Sequence, residues 1–174
     1  MSMKSRRIFA GRVVTLDVTE VELPNGHVAE LEIVGHPGGA AVVAVDARGE
    51  VCLLRNYRHV AGGWLWEIPG GKLDGREPEL TARAELHEEA GLSAGRWESL
   101  GRVVSSPGVF AEVVHLYLAL DLSPVPAAPE IDEVFEISWV PLRSALSRAL
   151  TGDITDGKTV IALARAAHRL GVTA

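Results

Sequence analysis

From Gly70 to Leu92 the chain reads GGKLDGREPELTARAELHEEAGL, a glycine-rich stretch leading into a helix that carries Glu85, Glu88 and Glu89. Pro78 is tolerated in a first turn, acids sit near the start, and Gly91 is a natural terminating residue, so a helix is predicted over 77–90. On a helix, positions i, i+3 and i+4 share a side, which sends the three carboxylates toward one small volume. Such crowding is unfavourable unless a cation neutralises it, and a hard divalent ion with oxygen ligands, Mg²⁺ above all, is the natural match. A solvated acidic helix face would accommodate the same cluster. The flanks favour the metal: glycines at 70, 71 and 75 let the backbone turn sharply beside the helix start. There a carbonyl can join a metal shell and free N–H groups can meet phosphate.

The rest of the chain frames that segment with strands. IFAGRVVTLDVTEVEL, a turn at Pro24-Asn25-Gly26 and HVAELEIVGH read as one amino-terminal hairpin over 8–33. AAVVAVD and EVCLLRNYR follow, joined by a turn at Ala47-Arg48-Gly49. After the helix come strand candidates at 97–104, 113–120 and 134–140, a proline-rich loop SPVPAAPE, and two closing helices near 142–150 and 158–170. Strands that outnumber helices, with the helices central and late, predict an α+β sandwich rather than a doubly wound parallel sheet.

With 174 residues, 47% of them apolar, one domain can build its core unaided. A formal charge of −6 argues against nucleic acid as a partner, and leaves an anionic substrate in need of some other source of positive field. The single cysteine, Cys52, lies in the apolar run VCLL and is expected to be a buried, inert thiol. The basic amino terminus has no apolar region behind it and no segment approaches the length of a membrane span, so a cytoplasmic protein is expected. His59, His87 and His115 have no zinc-ligand spacing, and no Gly-any-Ser-any-Gly elbow is present.

The glycine loop and glutamate helix resemble the Nudix hydrolase family. Its box is Gly, five residues, Glu, seven residues, then Arg-Glu-apolar-any-Glu-Glu-any-Gly-apolar. Here the second half reads Ala84-Glu85-Leu86-His87-Glu88-Glu89-Ala90-Gly91-Leu92. Two positions depart. The loop is one residue short, so Arg76 stands at the first box glutamate unless a gap brings Glu77 there, and Ala84 replaces the box arginine while Arg83 lies one position earlier. A one-residue offset turns a helical side chain by about 100°, so Arg83 is no automatic substitute.

The resemblance implies a Nudix-type α/β/α sandwich of mixed sheets, with residues 1–36 as an amino-terminal β-hairpin region that dimerises and 37–174 as the hydrolase domain. It implies Mg²⁺, or Mn²⁺ in its place, held by the carbonyl of Gly70 with Glu85, Glu88 and Glu89. RNYRHVAGGWLWEIPGGKL and SSPGVFAE are similar to the corresponding stretches of the ADP-ribose pyrophosphatases in that family. That likeness implies Arg58, Glu67, Gly108 and Glu112 as substrate-binding residues, with Arg58 on the pyrophosphate. Trp64 and Trp66 either stack on a base or fill the core. The base aligning the nucleophilic water is expected in PEIDEVFEISWVPL, Glu133 first and Glu130 second, with Glu88 assisting. In GDITDGKTV, Thr155 or Asp156 is expected as the N-cap of the last helix. The implied activity is hydrolysis of a nucleoside diphosphate sugar, ADP-ribose to AMP and ribose 5-phosphate. The alternatives are another such sugar, for example GDP-mannose, or a nucleotide-sensing module without turnover. A homodimer is expected.

Overall fold

The computed structural model describes residues 4–126 and 134–174. In chain order these form β1 (Ser5–Ala10), β2 (Thr15–Glu22), β3 (Val28–Gly35), β4 (Gly39–Ala44), β5 (Glu50–Arg58), a 3-10 turn (His59–Ala61), β6 (Gly63–Glu67), β7 (Gly70–Lys72) and α1 (Pro78–Ala90). The series continues with β8 (Leu92–Ser106), β9 (Phe110–Pro124), β10 (Phe135–Pro141), α2 (Leu142–Thr151) and α3 (Gly157–Leu170). The larger sheet runs β1-β2-β3-β9-β4-β7 with β8 on the other side of β9, and the smaller is β10-β5-β6. β9 organises the larger sheet: it is parallel to β4 from Gly39↔Val114 to Ala44↔Ala119 and antiparallel to β8 along most of its length.

β4 is apolar and buried at every position, and the middle stretches of β5 and β9 nearly so, because both of their faces are covered. Ala41, Val43, Leu53, Leu116 and Leu118 pack toward Leu146 of α2 and Leu163 of α3. Their neighbours Ala40, Val42, Cys52, Leu54 and Ala119 pack toward Ala82 and Leu86 of α1. The two-residue period of a strand thus divides one continuous run between two cores, giving the expected layered α+β sandwich. Burial, with Glu89 adding to it, pushes the Cys52 thiol up to about 12, so the cysteine is inert as expected.

Four features differ from the sequence reading. The amino-terminal region is a three-stranded meander rather than a hairpin, because the chain reverses after β1, where the Gly11 N–H donates to the Val14 carbonyl at 2.9 Å. The turn at 47–49 forms, with Asp46 accepting from the N–H groups of Arg48 and Glu50, but β4 and β5 part into different sheets and share only the Val45↔Val51 bridge. β6 and β7 were hidden in glycine-rich sequence, and Ser123 and Pro124 finish β9 instead of opening a loop. Among the described residues no helix is long and apolar enough to cross a membrane.

Candidate active site

α1 ends as its sequence predicts, with Gly91 left-handed at φ 63° and its N–H donating back to His87 and Leu86. Ala82, Leu86 and Glu89 follow the i, i+4, i+7 stripe and are all buried. At about 100° per residue, Glu88 and Glu89 stand roughly 100° apart around the helix, with Glu85 between them. The three side chains therefore leave the helix at different depths. Glu89 is 2% exposed, and its Oε2 accepts from the Gly70 N–H at 2.8 Å. Glu85 lies against Gly71 so closely that a Cβ there would be 2.0 Å from Oε1. Glu88 lines a cavity of about 630 Å³ together with Glu85. Arg83 points elsewhere, onto Glu79 at 2.8 Å and over the Trp97 ring at 4.5 Å, so it does not replace the box arginine.

The same cavity is lined by Arg58, Gly70, Gly71, Lys72, Arg76, Glu112, Asp156 and Lys158. Behind Arg58 sits Glu67, 3% exposed, which accepts from Arg58 Nε and Nη2 at 2.9 and 2.8 Å. Lys158 Nζ donates to Glu67 Oε2 at 3.1 Å and to Asp156 Oδ2 at 2.9 Å. Burial alone would raise the Glu67 carboxyl, but the Arg58 hydrogen bonds and the Lys158 charge outweigh it and hold the group below the ordinary 4.5. The bond to Glu67 raises Arg58 in turn, against the opposing effect of burial. Asp156 is the N-cap of α3 and accepts from the Thr159 N–H, while the Thr159 hydroxyl accepts from the Ile68 N–H at 3.0 Å. The chain around Glu67 is thereby tied to the start of α3. On the opposite wall, Nδ1 of His36 lies 3.3 Å from Glu112 Oε1 and accepts from the Gly38 N–H.

Of the residues expected from sequence, Arg58, Gly70, Glu85, Glu88 and Glu112 line this cavity, Glu67 stands behind it, and Glu89 lies buried beneath the Gly70 amide. Gly108 is exposed in the turn between β8 and β9 and does not line it. Neither tryptophan lines it: Trp66 packs on the core under Arg148, and Trp64 is exposed against Tyr57. Glu130 and Glu133 lie outside the described residues. Sequence reasoning did not single out His36, Lys72, Arg76 or Lys158 as cavity residues. For Lys158 a signal existed, since it directly follows the capping Asp156 and Gly157 at a helix start.

Among the described residues no three Asp, Glu, His or Cys side chains are gathered as a closed metal cage. The donors do fit an open site for a hard divalent ion, completed by water and substrate oxygens: carboxylates on one helix, two of them on a cavity, over a glycine strand whose backbone comes close.

A sandwich of this kind, with a glutamate helix packed over a glycine cradle and cations across the cavity, defines a phosphate-handling hydrolase class. The NUDIX domain model matches residues 35–163, and the chain belongs to the Nudix family. Such enzymes use divalent metal ions. The chain is 39% identical over 165 residues to the ADP-ribose pyrophosphatase of Bacillus subtilis (strain 168), covering 93% of this chain and 89% of that protein. It is 40% identical over 165 residues, with the same coverage, to the methanol dehydrogenase activator of Bacillus methanolicus. A crystal structure of an ADP compounds hydrolase superimposes with a TM-score of 0.81 at 22% identity, covering 97% of this chain and 92% of that one, which establishes the shared fold.

Proposed function

We propose that this chain hydrolyses the diphosphate bridge of ADP-ribose, giving AMP and ribose 5-phosphate, with Mg²⁺ or Mn²⁺ as its metal. The observation that carries the reading is that Glu85 and Glu88 of α1 lie in the same cavity as Arg58 and Lys158. The resemblance to a bacterial ADP-ribose pyrophosphatase over nearly the whole chain supports the substrate. Glu85, Glu88 and Glu89, with the Gly70 carbonyl, hold the metal. When bound, the ion supplies charge neutralisation at the phosphoryl oxygens and a more acidic water. Arg58, fixed by Glu67, presents its remaining N–H groups to the diphosphate. Glu112 contacts the substrate from the wall it shares with His36. Glu133, or Glu130 if the register differs, takes the proton of the attacking water, as the chemistry requires a base within hydrogen-bond reach. The lone buried thiol suits a cytoplasmic setting.

The test is AMP release from ADP-ribose by the purified chain, with and without Mg²⁺, beside GDP-mannose at equal concentration. Mg²⁺-dependent AMP release that exceeds turnover of GDP-mannose is expected. Faster release from GDP-mannose would replace the substrate, and binding of ADP-ribose without release would make the chain a sensing module. Glu133→Gln should lower kcat more than Glu130→Gln.

A further inference from the structure

Among the described residues Lys158 is the one cavity-lining cation that shares a carboxylate with Arg58, although the two lie 100 residues apart in the chain. An ammonium has three N–H donors, and two of those on Lys158 are occupied by Glu67 and Asp156. One remains. The Arg58 guanidinium has five, of which Nε and one on Nη2 are bound to Glu67. Three remain. Both cations line the cavity, while the Glu67 carboxylate that holds them is 3% exposed and turned away from solvent.

The two meet on one atom: Arg58 Nη2 is 2.8 Å and Lys158 Nζ 3.1 Å from Glu67 Oε2. Their separation can therefore be no greater than those two bonds laid end to end, close enough for one diphosphate to meet both. Lys158 is further fixed because Asp156 is held as the N-cap, and Thr159 joins the opening of α3 to the backbone of Ile68. A lysine on a surface helix loses much rotamer freedom on binding an anion, whereas one already pinned by two carboxylates has lost most of it beforehand.

We propose that Lys158 is a second diphosphate-binding residue, and that buried Glu67 is the positioning residue that sets Lys158 and Arg58 as a paired cationic clamp. This deepens the substrate reading given above, on which it rests only for the ligand class, a diphosphate. It also places two of the chain's own cations, each with N–H groups left over, on the cavity of a molecule whose formal charge is −6.

The experiment is a calorimetric titration of inorganic pyrophosphate into the full chain in buffer free of divalent ions, so that only the protein's own cations can hold it. Three variants are compared with the unaltered chain. Lys158→Gln removes the charge and, with a shorter side chain, leaves no donor for phosphate. Lys158→Arg keeps the charge, and Arg96→Met, outside the cavity, removes the same net charge. Loss of one charge-assisted contact predicts that Lys158→Gln weakens pyrophosphate binding by roughly ten- to a hundredfold. Lys158→Arg should recover most of it and Arg96→Met should leave it within about twofold. Equal affinities for Lys158→Gln and Arg96→Met, or no binding by the unaltered chain, overturn the proposal. Should Lys158→Gln fail to fold, acylation footprinting of the unaltered chain decides instead: pyrophosphate must protect Lys158, and unchanged labelling overturns the clamp. Lys158-dependent pyrophosphate binding in a chain that releases no AMP from ADP-ribose would leave the clamp standing and remove the substrate reading alone.

Discussion

Gly70 and Gly71 are adjacent, yet the lack of a side chain serves a different purpose at each. A Cβ on Gly70 would come within 2.6 Å of the Ala41 Cβ, 2.7 Å of the Ala40 carbonyl oxygen and 2.8 Å of the Ala41 Cα, so the obstruction is neighbouring strand. The three atoms nearest a Cβ on Gly71 all belong to the carboxylate end of Glu85, with Oε1 at 2.0 Å. A flexible carboxylate can swing aside where a strand backbone cannot. Gly70→Ala should therefore destabilise the fold by about 1–3 kcal/mol, the usual range for overpacking. Gly71→Ala should keep the thermal midpoint within a few degrees while lowering kcat at least tenfold, because Glu85 is displaced from the cavity. Thermal denaturation beside initial rates of AMP release separates the two, and an active Gly71→Ala would show that the position of Glu85 is immaterial. The glycines were legible in sequence as a cradle. That each one answers to a different neighbour was not, because the neighbours lie 30 residues before one and 14 after the other in the chain.

At the scale of elements, α1 distributes its acids by angle. The sequence spacing correctly placed Glu85, Glu88 and Glu89 on one side, but that side is wide enough to put Glu89 in the core and Glu88 on the cavity. Gln at position 89 retains an oxygen to accept the Gly70 N–H, so Glu89→Gln should fold normally and yet lose activity by more than the ten- to hundredfold typical of residues behind a metal's ligands. A rate within threefold of the unaltered chain across a Mg²⁺ titration would dismiss Glu89 as a ligand. Between elements, Glu67 of β6 joins Arg58 of β5 to Lys158 of α3, a contact across 91 residues that periodicity cannot reveal. Its folded pKa is below 4.5, so folding favours the ionised form. That contribution is complete above pH 4.5 and is lost as the pH falls through the lowered folded value. Urea unfolding at a series of pH values should thus show stability declining below 4.5, with that part of the slope missing in Glu67→Gln. Parallel slopes in the two proteins would mean that Glu67 is not held ionised by its partners.

For the whole molecule, the layered sandwich was readable because its apolar runs, caps and turns are local signals, whereas the partition into two sheets depends on β9, which no local pattern identifies as the organiser. The meander β1–β3 is the least integrated part. Among the described residues its strand pairing with the remaining sheet is limited to Val34↔Phe110 and Gly35↔Ala111, and β1 is exposed along its whole length. It also exposes large apolar side chains on both of its faces, Phe9 at 55% on one and Leu31 at 40% on the other, and among the described residues β1 is a free sheet edge. Water contact with such surface is unfavourable by about 25 cal/mol per Å², and an edge strand invites pairing with another chain. A second copy covers both, and we propose the homodimer on that ground. Light scattering at micromolar concentration should give twice the chain mass. Replacing Phe9 and Leu31 together by Asp should return it to a single chain mass with little loss of thermal stability in the subunit, since both side chains are exposed there. If the double variant scatters as the unaltered chain does, the meander is not the dimer contact; if the unaltered chain is itself a monomer, the homodimer is refuted.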